Sequence, residues 1–336
     1  MSEINKSELN TYLAHYSISE PWSVLPMESG MNNTTRKIAA GQECFMLRIY
    51  NNHKDGAIVQ VEHELLEKLN SSKTSIQTPI PVRNKTGGTF CKLEDGTLFA
   101  LYYFIEGERP LNQHAPHIAG LGKAAGQLSR QLAALQMTAQ PVYDPYYKLP
   151  ASYEFITAEL FEELMNEESE LALRRKKIEF LMEQFCKAKQ WSSELQKLPQ
   201  QWIHGDIVIN NTVASGEAII AILDFEFAAI DLRAMEPAVI AADLLNKPNR
   251  LPSMHEGISL MMNAFTQEVS LTQEELDCMP FLMKLRLLDV FLHVVVRYRS
   301  GLSELELLCE IIDQTADHIE YIDNSAELQE IFIVTN

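Results

Sequence analysis

Long apolar runs are the first thing this 336-residue chain lacks. The opening residues, SEINKSELN after Met1, hold no apolar stretch of the kind a signal peptide needs, and no later segment is apolar for long enough to span a bilayer. A soluble cytoplasmic protein with no membrane partner is therefore expected. Cysteine is scarce too: Cys44, Cys91, Cys186, Cys278 and Cys309 are scattered, odd in number and never in C-x-x-C spacing, which argues against a disulfide scaffold or a zinc site and for reduced thiols. Basic runs are also missing. With 28 Lys and Arg against 46 Asp and Glu, a formal net charge of −18, no nucleic-acid partner is expected. The acid excess suits a cationic substrate, although solubility explains it equally well. Nor is there a phosphate loop of the G-x-x-x-x-G-K-[ST] type: Gly120-Leu121-Gly122-Lys123 comes nearest, but the spacing is broken at His117 and Ala124 follows the lysine.

What is present centres on Trp202 to Ala228, WIHGDIVINNTVASGEAIIAILDFEFA. His204-Gly205-Asp206 is followed after four residues by Asn211, and then by a short apolar strand ending in Asp224-Phe225. Phosphoryl transfer to a hydroxyl needs a carboxylate to accept the proton and hard oxygen ligands for Mg2+; an Asp, an Asn and a second Asp at this separation provide them. Ser215-Gly216-Glu217 reads as a hairpin turn that carries Asp224 back beside Asn211. Each residue alone is compatible with loop capping. The combination is far more specific.

HGDIVINN followed by ILDFEFA resembles the aminoglycoside phosphotransferase and choline kinase group, relatives of protein kinases that phosphorylate small molecules. The resemblance implies an α+β, two-lobed fold: residues 1–104 form a small nucleotide-binding lobe with an antiparallel sheet and a helix, and residues 105–336 a larger, mostly helical catalytic lobe. It implies Asp206 as the catalytic base and Asn211 and Asp224 as metal ligands, with ATP and Mg2+ as cofactors. Glu226 stands where protein kinases have the glycine of D-F-G, which argues against a protein kinase with a switching activation loop.

The remaining motifs fall in the order this group shows. A Gly/Ser/Asn-rich turn holding Ser29, Gly30, Asn32 and Asn33 resembles its nucleotide-positioning loop. Arg48, on the apolar strand CFMLRIY, stands where a basic residue reaches the α and β phosphates, and its fork differs in geometry from the more usual lysine. Apolar residues at Ile58, Val61, Leu65, Leu66 and Leu69 share one helical face, and Glu62 is the chosen acidic partner of Arg48, with Glu64 as competitor on another face. Tyr103-Phe104-Ile105 looks like the hinge, where backbone groups of Tyr103 and Ile105 contact adenine. Near Glu236 the group carries an acidic residue that holds the catalytic loop. Asp231, Arg233 and Arg297 are candidate acceptor contacts, each weighed against an internal salt bridge or a helix-end role. The loop and hinge, GMNNTTRKI and YFIEGE, look most like homoserine kinase type II proteins, ahead of choline/ethanolamine and aminoglycoside kinases. A kinase-fold binding or spore-coat-associated protein is the alternative.

Overall fold

The computed structural model describes residues 6–26, 33–51, 53–72, 76–245 and 254–333. After helix α1 (Lys6–Leu13), strands β1 (Trp22–Leu25), β2 (Asn33–Ala40) and β3 (Glu43–Tyr50) run antiparallel, helix α2 (Gly56–Ser71) follows, and β4 (Cys91–Lys92) and β5 (Leu98–Tyr103) complete a five-stranded sheet in the order β1-β2-β3-β5-β4. Strand alternation gives the sheet two different faces. Phe45, Leu47 and Ile49, with Phe99 and Leu101, pack against Leu9 and Leu13 of α1. Tyr50, Leu98, Ala100 and Tyr102 point the other way, onto Val59, Leu65, Leu66 and Leu69 of α2. Arg48 lies in the same alternation as Tyr50, and so on the cleft side. Asp55 caps α2 by accepting from the Ala57 N–H at 2.8 Å.

Beyond β5 the chain is mostly helical: α3 (Ala115–Ala134), α4 (Leu149–Ser152), α5 (Ala158–Glu167), α6 (Ser169–Ala172) and α7 (Arg175–Leu195) precede the catalytic strands, and α8 (Met235–Leu245), α9 (Met254–Thr266), α10 (Gln273–Arg299), α11 (Leu305–Asn324) and α12 (Ala326–Ile331) follow them. Between these groups β6 (Gln200–Ile203) pairs with β9 (Ala229–Leu232), and β7 (Thr212–Ser215) with β8 (Ala218–Ile222). The glycines mistaken most easily for a phosphate loop sit inside α3. A Cβ on Gly122 would stand 2.1 Å from the Met261 carbonyl oxygen, so glycine is what lets α3 and α9 touch. The large apolar core is continuous from α2 and its sheet face through α3 to α10. No described helix is long and apolar enough to cross a membrane.

Candidate active site

The hairpin expected at Ser215-Gly216-Glu217 is formed, with Gly216 at φ +57°. Its closure donates the Leu223 N–H to the Asn211 carbonyl at 2.8 Å, which sets Asp224 beside the loop that carries Asp206. Asn211 Nδ2 donates to both the backbone oxygen and Oδ2 of Asp206, each at 3.0 Å. His204 ties the same pieces from beneath. Its Nε2 donates to the Leu223 carbonyl at 2.9 Å and its Nδ1 accepts from the Asp206 N–H at 3.2 Å, a pairing that requires the neutral ring. Burial pushes its pKa down to about 4, so it is neutral at physiological pH. Glu236, at the start of α8, accepts the N–H groups of His204 at 2.7 Å and Gly205 at 3.1 Å.

Asp224 is the one described non-glycine residue with positive φ, at 67°. That region disfavours side chains with a Cβ and is tolerated best by Asn and Asp; such an outlier at a loop tip commonly serves a site. Its carboxylate remains 31% exposed and meets Arg48 Nη2 at 2.6 Å. Arg48 also donates to Glu226 at 2.9 Å and to Glu62 at 3.1 Å. Glu62, not Glu64, is thus the acid beside Arg48; Glu64 instead accepts from the N–H groups of Thr138 and Ala139. Burial raises the Glu62 carboxyl to about 7 even though Arg48 lowers it, and Asp224 and Glu226 add to the rise. Glu62 also accepts from the Tyr50 hydroxyl at 3.0 Å. Three carboxylates therefore crowd one guanidinium.

These residues line one cleft of about 1410 Å³, shared by Arg48, Tyr103, Ile105, Asp206, Asn211 and Asp224. Hard oxygens suited to Mg2+ are available there: Asn211 has its amide nitrogen engaged, which leaves Oδ1 as its ligand atom, and Asp224 is half-exposed beside it. The donor set fits a divalent cation.

Other expected contacts are placed differently. Ser29, Gly30 and Asn32 lie outside the described residues. Asn33 reaches the cleft, but Nδ2 is donated to Glu226 at 2.9 Å, so the side chain braces the Arg48 cluster instead of standing open to a phosphate. Asp231 is buried at the cleft wall and accepts the Tyr146 and Leu232 N–H groups at 2.6 Å each, which ties β9 to the segment before α4. Arg233 forms a two-pronged pair with Glu275, at 2.7 Å to each oxygen, outside the cleft. Arg297 lines the far wall but gives Nε to Ser303 Oγ and Nη2 to the Leu302 carbonyl, both at 3.0 Å, closing the end of α10.

The profile of the phosphotransferase enzyme family matches residues 23–252. The chain belongs to that family. It is a small-molecule kinase. A homoserine kinase of Rhodopseudomonas palustris is 24% identical over 297 residues, covering 84% of this chain and 82% of that protein. Among solved structures, an amicoumacin kinase in complex with AMP-PNP, Ca2+ and Ami superposes with a TM-score of 0.69 at 13% identity, covering 94% of each chain. A microcompartment-associated aminopropanol kinase gives 0.66 at 15%, over 97% of this chain and 100% of that one. The structural likenesses establish the kinase-like fold.

Three side-chain roles escape sequence reasoning, two of them in the cleft. Arg286 of α10 pairs through Nη2 with Asp206 Oδ1 and donates Nη1 to the Tyr146 hydroxyl at 2.9 Å. Tyr146 in turn donates to the Gly205 carbonyl at 3.1 Å. Although burial works against its charge, Tyr146, Asp206 and Asp289 hold the Arg286 guanidinium protonated. The third is Glu226, buried against Arg48 and Asn33. A periodic signal for Arg286 does exist: Arg286, Asp289, His293 and Arg297 recur at helical spacing and all line the cleft, a run of polar residues on one face within the apolar stretch of α10.

Proposed function

We propose that the protein is an ATP- and Mg2+-dependent kinase of a small alcohol, with a homoserine-like hydroxy amino acid as the acceptor, ahead of choline, ethanolamine or an aminoglycoside. The observation that carries the reading is the convergence of Asp206, Asn211 and Asp224 on one cleft with Arg48 across from them. In this reading Asp206, fixed by Asn211, orients the acceptor hydroxyl and accepts its proton as the oxygen attacks the terminal phosphorus. Asn211 and Asp224 hold the metal, which when bound neutralises charge on the phosphate oxygens. Arg48 neutralises phosphate charge from the strand side, and Glu62 fixes the direction of its fork. Most of the acceleration comes from position and charge, since no covalent chemistry is asked of the protein.

The hinge supports adenine binding. Phe104 donates its N–H to Cys44 across β3 at 3.0 Å, so alternation turns the Tyr103 carbonyl toward the other side, where the Tyr103 N–H is already donated to Ile80. The acceptor for adenine is then the Tyr103 carbonyl and the donor the Ile105 N–H. The likeness to homoserine kinases over 84% of this chain favours the acceptor class. The test is ATP-dependent phosphorylation over a panel of homoserine, choline, ethanolamine, aminopropanol and aminoglycosides, with Asp206→Ala as control. Homoserine should lead the panel and the variant should be silent; wild type as silent as the variant on every acceptor would end the reading.

A further inference from the structure

We infer that Arg286 reads a carboxylate on the acceptor, so that the preferred alcohol is a short hydroxy acid carrying an ammonium group and not an amino alcohol or a sugar. This rests on the kinase reading above and narrows it. The guanidinium is one hydrogen bond away from Asp206 Oδ1 and is held on its other side by Tyr146 and, at 3.6 Å, by Asp289. A planar fork so placed binds carboxylate in two-pronged fashion. With the hydroxyl on Asp206 and the carboxylate on Arg286, the two ends of the acceptor lie within a few bonds of each other. A short hydroxy acid spans that gap; an aminoglycoside, choline and an amino alcohol have no anion to offer the guanidinium.

The surrounding charges supply the other half of the recognition. Asp289 and Asp243 line the same end of the cleft as Arg286, and Asp289 accepts from the Tyr153 hydroxyl at 3.3 Å, which fixes its carboxylate facing that space. These acids suit the ammonium of an amino acid. Arg286 and Asp289 are three residues apart on α10 and so share a helix face, which lets one rigid element present both signs. Beyond them Val290, Val294, Leu307 and Ile311 line the wall together with His293 and Arg297. Arg286 pairs with Asp206 itself; a carboxylate that competes for the guanidinium frees the Asp206 oxygen for the hydroxyl.

The experiment compares L-homoserine with 3-amino-1-propanol, its analogue lacking the carboxylate, for wild type, Arg286→Gln and Arg286→Lys. Thermal unfolding and ATP-analogue binding serve as controls for folding. In Arg286→Gln the ratio of kcat/KM for homoserine over aminopropanol should fall by roughly 100-fold, mostly through KM, and calorimetry should show homoserine binding lost. Arg286→Lys should recover part of that ratio. A role confined to positioning Asp206 predicts an equal loss for both acceptors at unchanged ratio, which would overturn the inference. Wild type that prefers aminopropanol to homoserine would also overturn it while leaving the kinase reading standing, whereas wild type inactive on every alcohol would remove that reading itself.

Discussion

Two arginines face the same cleft from opposite ends, and each is surrounded by acids. Arg48 comes from a central strand, has a side chain 9% exposed, and is gripped by Glu62, Asp224 and Glu226. Arg286 comes from a long helix, is twice as exposed at 18%, and meets Asp206, Asp289 and the hydroxyl of Tyr146. The first cluster is closed on itself, and Asn33 and Tyr50 seal it further. The second is the more exposed of the two and stands beside Asp206 and Asp289. One end of the cleft is thus fixed by burial against a sheet, and the other is presented by side chains along one face of a helix.

The largest test of that division lies at the aspartates. Asp206→Asn should lower kcat by about 10³-fold or more while nucleotide-analogue binding survives, because only the proton acceptor is lost. Asp224→Ala should do the reverse and weaken metal-dependent nucleotide binding first. Fluorescence titration with a nucleotide analogue, with and without Mg2+, reads the difference. If both variants lost nucleotide binding alike, the two ends would not be separable.

Next in size is the stability of the two arginine clusters. Arg48→Met leaves Glu62 and Glu226 buried without their cation, and breaking such a pair costs about 3–5 kcal/mol. Arg286→Met strands the part-exposed Asp206, for which about 1–2 kcal/mol is expected. Urea unfolding should therefore show a clearly larger drop in midpoint for the first variant. Equal drops would mean that the second cluster is as much a structural core as the first.

The difference between the ends also explains what could be read in the residues alone. Asp206, Asn211 and Asp224 fall within one stretch joined by a hairpin, and Arg48 and Glu62 on a strand and the next helix, so local periodicity brings them together. Arg286 meets Asp206 across 80 residues and Tyr146 across 140, contacts that no local spacing announces. Asp231 and Arg233, weighed as acceptor contacts against an internal salt bridge, are engaged by backbone N–H groups and by Glu275 respectively, again across a separation no local spacing shows. One helix start was legible: Thr272-x-x-Glu275 is a capping box, and it opens α10.

A smaller effect is expected at Gly205, which joins the two halves of the catalytic loop. It sits at φ +78°, and a Cβ there would stand 3.2 Å from the Phe227 carbonyl oxygen. Gly205→Ala should cost about 1–2 kcal/mol from the left-handed backbone alone. Because its N–H is held by Glu236 and its carbonyl by Tyr146, the strain passes to Asp206, and kcat should fall more than KM rises. A variant with altered KM but normal kcat would place the glycine outside the reacting geometry.

The mildest expectation concerns pH, and it belongs to the frame beneath both ends. Burial pushes the carboxyls of Asp231 and Glu236 up to about 7, against backbone N–H groups that favour their charged forms. A carboxyl with a raised pKa binds its proton more tightly in the folded chain than in the unfolded one. Its contribution to stability is complete below the unfolded value and is lost as pH rises through about 7. Buried histidines such as His204 pull the other way, since their neutral folded form is favoured as pH rises, so the quantity to read is the difference between wild type and variant. Asp231→Asn removes one of these protons, and although its amide can accept only one of the two N–H groups and lowers Tm throughout, the loss of Tm should be larger near pH 5.5 than near pH 8. An equal loss at both pH values, or a larger one near pH 8, would mean that the backbone N–H groups outweigh burial and that the Asp231 carboxylate is held charged beneath the catalytic loop.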